Sequence, residues 1–263
     1  MSALCIHFKE LSKLLDEKND KYERIYKTNR DVTQKCKKII FALQRIPGLE
    51  EEETKSIMKV SANEFRDIEQ TLLRYIAMEL KDGDKYQFLN AYTAGIQEYV
   101  EALTFYHFLL NEKILSHSEV QNRKTDPEEL ILCVPIPAKE YILGLGDLTG
   151  ELMRFCIKSL SVGNYTMCYK ICDILRHFNS GFMSLGYISS KELYHKTFVL
   201  KSTLAKVEEA CYSFAAKEIG TTSGNVGYSS YRNGSRRWNL VIKIKLNLQA
   251  FYFSFQKLLQ FHH

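Results

Sequence analysis

The chain has 263 residues, 45% of them apolar and 25% charged, and a formal net charge of +5. That composition belongs to a globular protein and excludes a disordered or fibrous one. The mild positive excess permits an anionic partner such as RNA without requiring one. No run of about 18 apolar residues occurs, so neither a transmembrane helix nor a membrane partner is expected. The start, MSALCIHFKELSKLL, lacks the apolar core and cleavage site of a secretory signal. Seven cysteines, an odd number with no Cys-x-x-Cys pair, sit mostly in apolar helical surroundings. They are expected to be reduced core residues of an intracellular protein.

With 4 prolines and 13 glycines, long uninterrupted helices are expected. The first runs from about Ile6 to Arg45, because Phe8, Leu11, Leu14, Leu15, Tyr22, Ile25, Tyr26 and Val32 recur at three- and four-residue steps. Pro47-Gly48 ends it. A second is predicted from Glu51 to Leu80, stopped by Asp82-Gly83-Asp84, and a third from Lys85 to Asn111. The stretch from Glu112 to Pro137 is polar and reads as irregular, closing in Pro135-Ile136-Pro137 before a fourth helix over Ala138–Leu160. A fifth covers Tyr165–Phe178, followed by a turn around Gly181 to Gly186. The last begins at Ser189-Ser190, either of which can cap it, and ends near Glu218. No persuasive strand precedes Gly220, so the fold class is all-α, a bundle of about seven helices with a long N-terminal helix. The composition changes at Gly220. Residues 1–219 are read as the helical domain, and 220–263 as a divergent tail, flexible or poorly folded.

Two acidic pairs stand out. Glu98 and Glu101 on the third helix are three residues apart and share a face with or beside Ala91, Ala94, Gly95, Ala102 and Phe105. Asp147 and Glu151 on the fourth are four apart, flanked by Gly144 and Gly150. Glycine costs about 0.5–1 kcal/mol in a helix interior, so a close backbone approach or a ligand is needed to justify it. If the two faces meet, four carboxylates converge, and like charges that close need protons, arginines or a metal. Oxygen-only ligation suits Mg²⁺ or Mn²⁺, which activate water and stabilise phosphoryl oxygens. The alternative is that each pair is solvated or neutralised by basic neighbours such as Arg154. A di-iron bundle would want Glu-x-x-His on two helices, but position 104 is Thr and position 154 is Arg.

The segments GIQEYVEALTFYHFL and YILGLGDLTGELMRFCIKSL resemble the two signature helices of the translin family in its factor X branch. DKYERIYKTNRDVT and TLAKVEEACY are similar to that family's first and last helices, so the likeness covers roughly Leu11 to Glu218. The resemblance implies a seven-helix fold that co-assembles with translin into a hollow hetero-oligomer. It implies Mg²⁺-dependent endoribonuclease activity on passenger strands of small-RNA duplexes and on tRNA-precursor fragments, with single-stranded DNA as a further ligand. It carries the catalytic and metal-holding roles onto Glu98, Glu101, Asp147 and Glu151, and implies residence in cytoplasm and nucleus. Three departures are evident: the family's basic N-terminal extension is missing, the loop before Pro135 is shorter, and the tail after Gly220 is unlike the family. A non-catalytic RNA-binding scaffold partner of translin is the competing reading.

On the first helix Lys18, Lys21, Arg24, Lys27 and Arg30 form a basic stripe, of which Lys21, Arg24, Lys27 and Arg30 are the candidate RNA-binding residues. The stripe equally suits a solvated face interleaved with Asp20, Glu23 and Asp31. Cys168, Cys172 and His177 lack zinc spacing and read as core. His107 is a candidate supporting residue for the acids, and Tyr99 and Tyr106 are candidate stacking platforms; packing roles compete for all three.

Overall fold

The computed structural model describes residues 3–81, 85–123, 134–185 and 190–222, and among them only helices and connecting turns occur. The chain divides into two compact units, residues 1–151 and 152–263. No helix among the described residues is long and apolar enough to cross a membrane.

In the first unit, α1 (Ala3–Leu43) has no proline or glycine to interrupt it, and Gly48, at φ 88°, turns the chain after it. Its apolar stripe has two fates. Ile25, Val32, Cys36, Ile39 and Leu43 are buried, whereas Phe8, Leu11, Leu14 and Leu15 are exposed. The second rod begins as α2 (Glu51–Asp67), widens into a π-helix over Ile68–Leu73, and continues as α3 (Arg74–Glu79). One unbroken α-helix was expected there. The wider turn carries Glu69, whose carboxylate accepts from the Tyr99 hydroxyl at 2.6 Å and pairs with Arg123 Nε at 2.6 Å. A 3₁₀ turn (Lys85–Phe88) then leads into α4 (Leu89–Asn111).

α4 is the central rod and packs most extensively against α1. Tyr92, Ile96, Val100, Leu103, Phe105 and Phe108 are all buried on it, and burial of each aliphatic or Phe side chain contributes about 1.5–3 kcal/mol. Gly95 permits the α1 crossing, because a Cβ there would sit 2.9 Å from the Asn29 carbonyl oxygen.

The stretch read as irregular from Glu112 contains a short helix, α5 (His117–Gln121). Ser116 and Glu119 form a capping box at its start, a signature present in the sequence as Ser-x-x-Glu. α5 then secures the entry to α6 (Ala138–Ser161): Ile136 N donates to Gln121 Oε1 at 2.7 Å, and Tyr141 Oη donates to the Leu115 carbonyl at 2.6 Å. Asp82-Gly83-Asp84 and Asp126-Pro127 lie outside the described residues.

The second unit comprises the last turns of α6, α7 (Tyr165–Ser184) and α8 (Lys191–Thr222). Asn164 caps α7 by accepting from Met167 N at 3.2 Å. α7 runs through Gly181, where a turn was expected. α8 starts after Ser190, with Ser189 outside the described residues, and continues to Thr222, past the predicted end near Glu218. The tail expected from position 220 lies outside the described residues from 223 onward. Cys156, Cys168, Cys172 and Cys211 are free and buried, as are Leu152, Ile171, Leu175, Leu204 and Val207 of the same unit. Arg176 Nε is held at 2.7 Å by Glu208.

Candidate active site

α4 and α6 are locked in register beside the acids. A Cβ on Gly144 would sit 2.8 Å from the Gln97 carbonyl oxygen and 2.9 Å from Val100 Cβ, so only glycine permits this approach. One turn earlier Glu140, itself buried, accepts a hydrogen bond from Gln97 Nε2. Glu140, Gly144, Asp147 and Glu151 follow one another at four-, three- and four-residue steps, which makes them a single stripe along α6. Gly150 differs: nothing lies within 4 Å of where its Cβ would be.

The charges of Asp147 and Glu151 on α6 reach Glu98 on α4. Burial pushes the Glu98 carboxyl above its ordinary value, the Lys37 ammonium opposes that, and the negative charges of Asp147 and Glu151 push it further up. Glu101 is 8% exposed. The buried Cys36 thiol on α1 is raised by burial and then by the charges of Glu98 and Glu101. α1 also supplies two groups that sequence reading missed. Lys37 Nζ stands 3.1 Å from Glu98 Oε1. Gln44 Nε2, seven residues on and therefore on the same face, donates to Glu151 Oε2 and to the Glu151 carbonyl, both at 2.8 Å. Neither had a local signal, because their partners lie 61 and 107 residues away.

The donor set is entirely oxygen, which fits a hard divalent cation. Among the described residues no three His, Cys, Asp or Glu side chains stand ready-made around one ion position. Lys37 and Gln44 hold Glu98 and Glu151 instead. Gathering these carboxylates around one ion would require their side chains to rotate.

The remaining candidates separate from this face. His107 Nε2 accepts from Arg123 Nη1 at 2.6 Å, so it belongs to the Glu69–Arg123 network rather than supporting the acids. Tyr99 and Tyr106 are buried and make edge contacts with Phe65, which assigns them to packing and not to base stacking. His177 is exposed beside Asp173, apart in burial from Cys168 and Cys172. Arg154 is exposed on α6. In the basic stripe, Arg24 makes a two-pronged pair with Glu79 at 2.9 and 3.1 Å, and Lys21 lies 5.1 Å over the Phe88 ring. Lys27 and Arg30 are exposed.

An all-helical chain with paired acids on two packed helices defines a class, and comparison with known proteins identifies it. The Translin family profile matches residues 20–217, and the chain belongs to that family. Within it the chain is similar to translin-associated protein X of Mus musculus, 35% identical over 237 residues, covering 82% of this chain and 80% of that protein. It is also similar to the translin-associated protein X homolog of Schizosaccharomyces pombe, 29% identical over 220 residues, covering 80% and 88%. Among solved structures, apo-NeC3PO superposes with a TM-score of 0.57 at 21% identity, covering 80% of this chain and 97% of that one. AfC3PO in a complex with duplex RNA superposes with a TM-score of 0.58 at 16% identity, covering 81% and 98%. At those identities the structural likeness speaks to the fold, and it agrees with the helical bundle expected from the sequence.

Proposed function

We propose that the chain is the RNA-cutting subunit of a hetero-oligomer with translin, a Mg²⁺-dependent endoribonuclease. The observation that carries this is the half-buried Glu98, pressed by the charges of Asp147 and Glu151 across helices held in backbone contact at Gly144. A fold spends stability to bury like charges together, and a divalent cation between them is the simplest compensation. The similarity to proteins named for association with translin supports the partner, and the likeness to a C3PO fold described in complex with duplex RNA supports the substrate class.

In this reading Glu98, Glu101, Asp147 and Glu151 hold Mg²⁺, with Mn²⁺ as a substitute. The cation supplies Lewis acidity toward a phosphoryl oxygen and eases deprotonation of the attacking water or ribose 2′-hydroxyl. The carboxylates would hold the cation at a fixed place between α4 and α6, and one of them would take up the nucleophile's proton. Lys27 and Arg30 track the RNA backbone. The substrates proposed are passenger strands of small-RNA duplexes and tRNA-precursor fragments.

In the complex with translin, Asp147→Asn abolishes cleavage and leaves assembly intact, as does EDTA for the unmodified chain. Cleavage at the unmodified rate by that variant, or activity indifferent to EDTA, would sink the assignment. That outcome would favour a non-catalytic RNA-binding scaffold, a reading supported by the way Lys37 and Gln44 already engage Glu98 and Glu151.

A further inference from the structure

We propose that Lys37 is an exchangeable cation of the site: it neutralises Glu98 until a divalent ion enters, then moves to the phosphate of the RNA. This rests on the nuclease reading above and adds to it a residue outside the four acids. The two partners are held unequally. Glu98 has a side chain 23% exposed, fixed on α4, while the Lys37 side chain is 63% exposed on α1 and has solvent on its far side. An ion pair this open adds little to stability. Elsewhere in the same unit a buried glutamate is matched with a planar guanidinium, Glu69 with Arg123. An ammonium on a four-carbon stem is a point charge that swings freely and binds phosphate without a fixed geometry. The adjacent Cys36 is buried and α1 packs along α4, so the helix holds the Lys37 backbone beside Glu98 whichever group its side chain contacts. Once a doubly charged ion joins the carboxylates, repulsion drives the ammonium outward into solvent, where it is free to meet a phosphate.

The test uses the full chain co-assembled with translin, comparing Lys37→Gln and Lys37→Arg with the unmodified protein. Mn²⁺ affinity is measured by calorimetry without RNA, and cleavage is measured in single-turnover assays. Removing the competing ammonium is expected to tighten Mn²⁺ binding roughly two- to fivefold, the scale of an exposed ion pair. The same variant is expected to lose cleavage rate on the order of 100-fold, the scale of one lost charge-stabilising contact. Lys37→Arg keeps a cation and retains part of the rate. A merely structural lysine would not tighten metal binding while slowing cleavage. Unchanged or weaker Mn²⁺ binding by Lys37→Gln, or cleavage at the unmodified rate, overturns the proposal. Failure of the underlying nuclease reading would show separately, as full activity of Asp147→Asn.

Discussion

Two sides of α4 handle buried negative charge in opposite ways. On one, Tyr99 and the Glu69 carboxylate meet Arg123, whose other nitrogen reaches His107, and each contact is 2.6 Å long. Phe65 packs edge-on to Tyr99 and Tyr106 around this network, so it is both short-bonded and enclosed. On the other side, one residue earlier, Glu98 faces a largely exposed lysine across 3.1 Å and feels two further carboxylates. The first arrangement pairs its charge with a planar donor at Glu69 Oε1, although Glu69 Oε2 is buried without a hydrogen-bond partner. The second pairs its glutamate with a compact ammonium whose side chain is 63% exposed, a looser arrangement than a planar guanidinium gives.

The sharpest way to break this contrast is Glu69→Ala. It strands the Arg123 guanidinium and the Tyr99 hydroxyl, and should cost about 3–5 kcal/mol, the range for one partner removed from a buried pair. Urea denaturation would read it; a loss below 1 kcal/mol would show that the network is not the structural side. Gly144→Ala attacks the other face. Its Cβ would press on the Gln97 carbonyl and on Val100, neither of which is a flexible chain end. Overpacking of that kind costs about 1–3 kcal/mol. Cleavage should fall further than stability, since the displaced helix carries Asp147 and Glu151. Unaltered cleavage by a folded Gly144→Ala complex would uncouple the helix contact from the chemistry.

The sequence made the acids legible because helical spacing alone puts Glu98 with Glu101 and Asp147 with Glu151. Gly144 was legible as an anomaly, and its explanation, close approach to α4, needed the packing. Lys37 and Gln44 could not be read at all: each lies in a helix with ordinary periodicity, and its meaning comes from a partner far along the chain. The π-turn at Ile68–Leu73 was equally hidden, since no local residue marks it and the contacts of its Glu69 with Tyr99 and Arg123 are tertiary. The α5 helix was different. Its Ser116–Glu119 capping box is a local signal, outweighed in the reading by the polar character of the surrounding stretch. Phe8 to Leu15 correctly signalled a helix but not its exposure, because periodicity reports a face and not what covers it.

A smaller effect sharpens the account of the structural side. Burial lowers the His107 imidazole from its ordinary 6.5, Arg123 and Lys113 lower it further, and Glu119 opposes them. The unfolded chain therefore takes up this proton before the folded one does. The contribution is full above pH 6.5 and is lost as pH falls through the folded-state value. Thermal unfolding followed from pH 8 to pH 5 should show a decline that His107→Gln flattens. Identical slopes for the two proteins would remove His107 from the network.

The smallest predicted change comes from the second glycine beside the acids. Gly150 sits in the interior of α6 with nothing within 4 Å of a Cβ position, so alanine is accommodated without any neighbour moving. Alanine also narrows the unfolded ensemble, so Gly150→Ala should raise stability by about 0.5–1 kcal/mol. Gly144→Ala, six residues away on the same helix, should move in the opposite direction. The pair thus separates a glycine required by helix packing from one that packing leaves free. If Gly150→Ala nevertheless impairs cleavage in the complex with translin while its Tm rises, the open space at Gly150 is needed by the RNA or by the partner. If cleavage is untouched, the spatial demand at the acidic face resides at Gly144 alone.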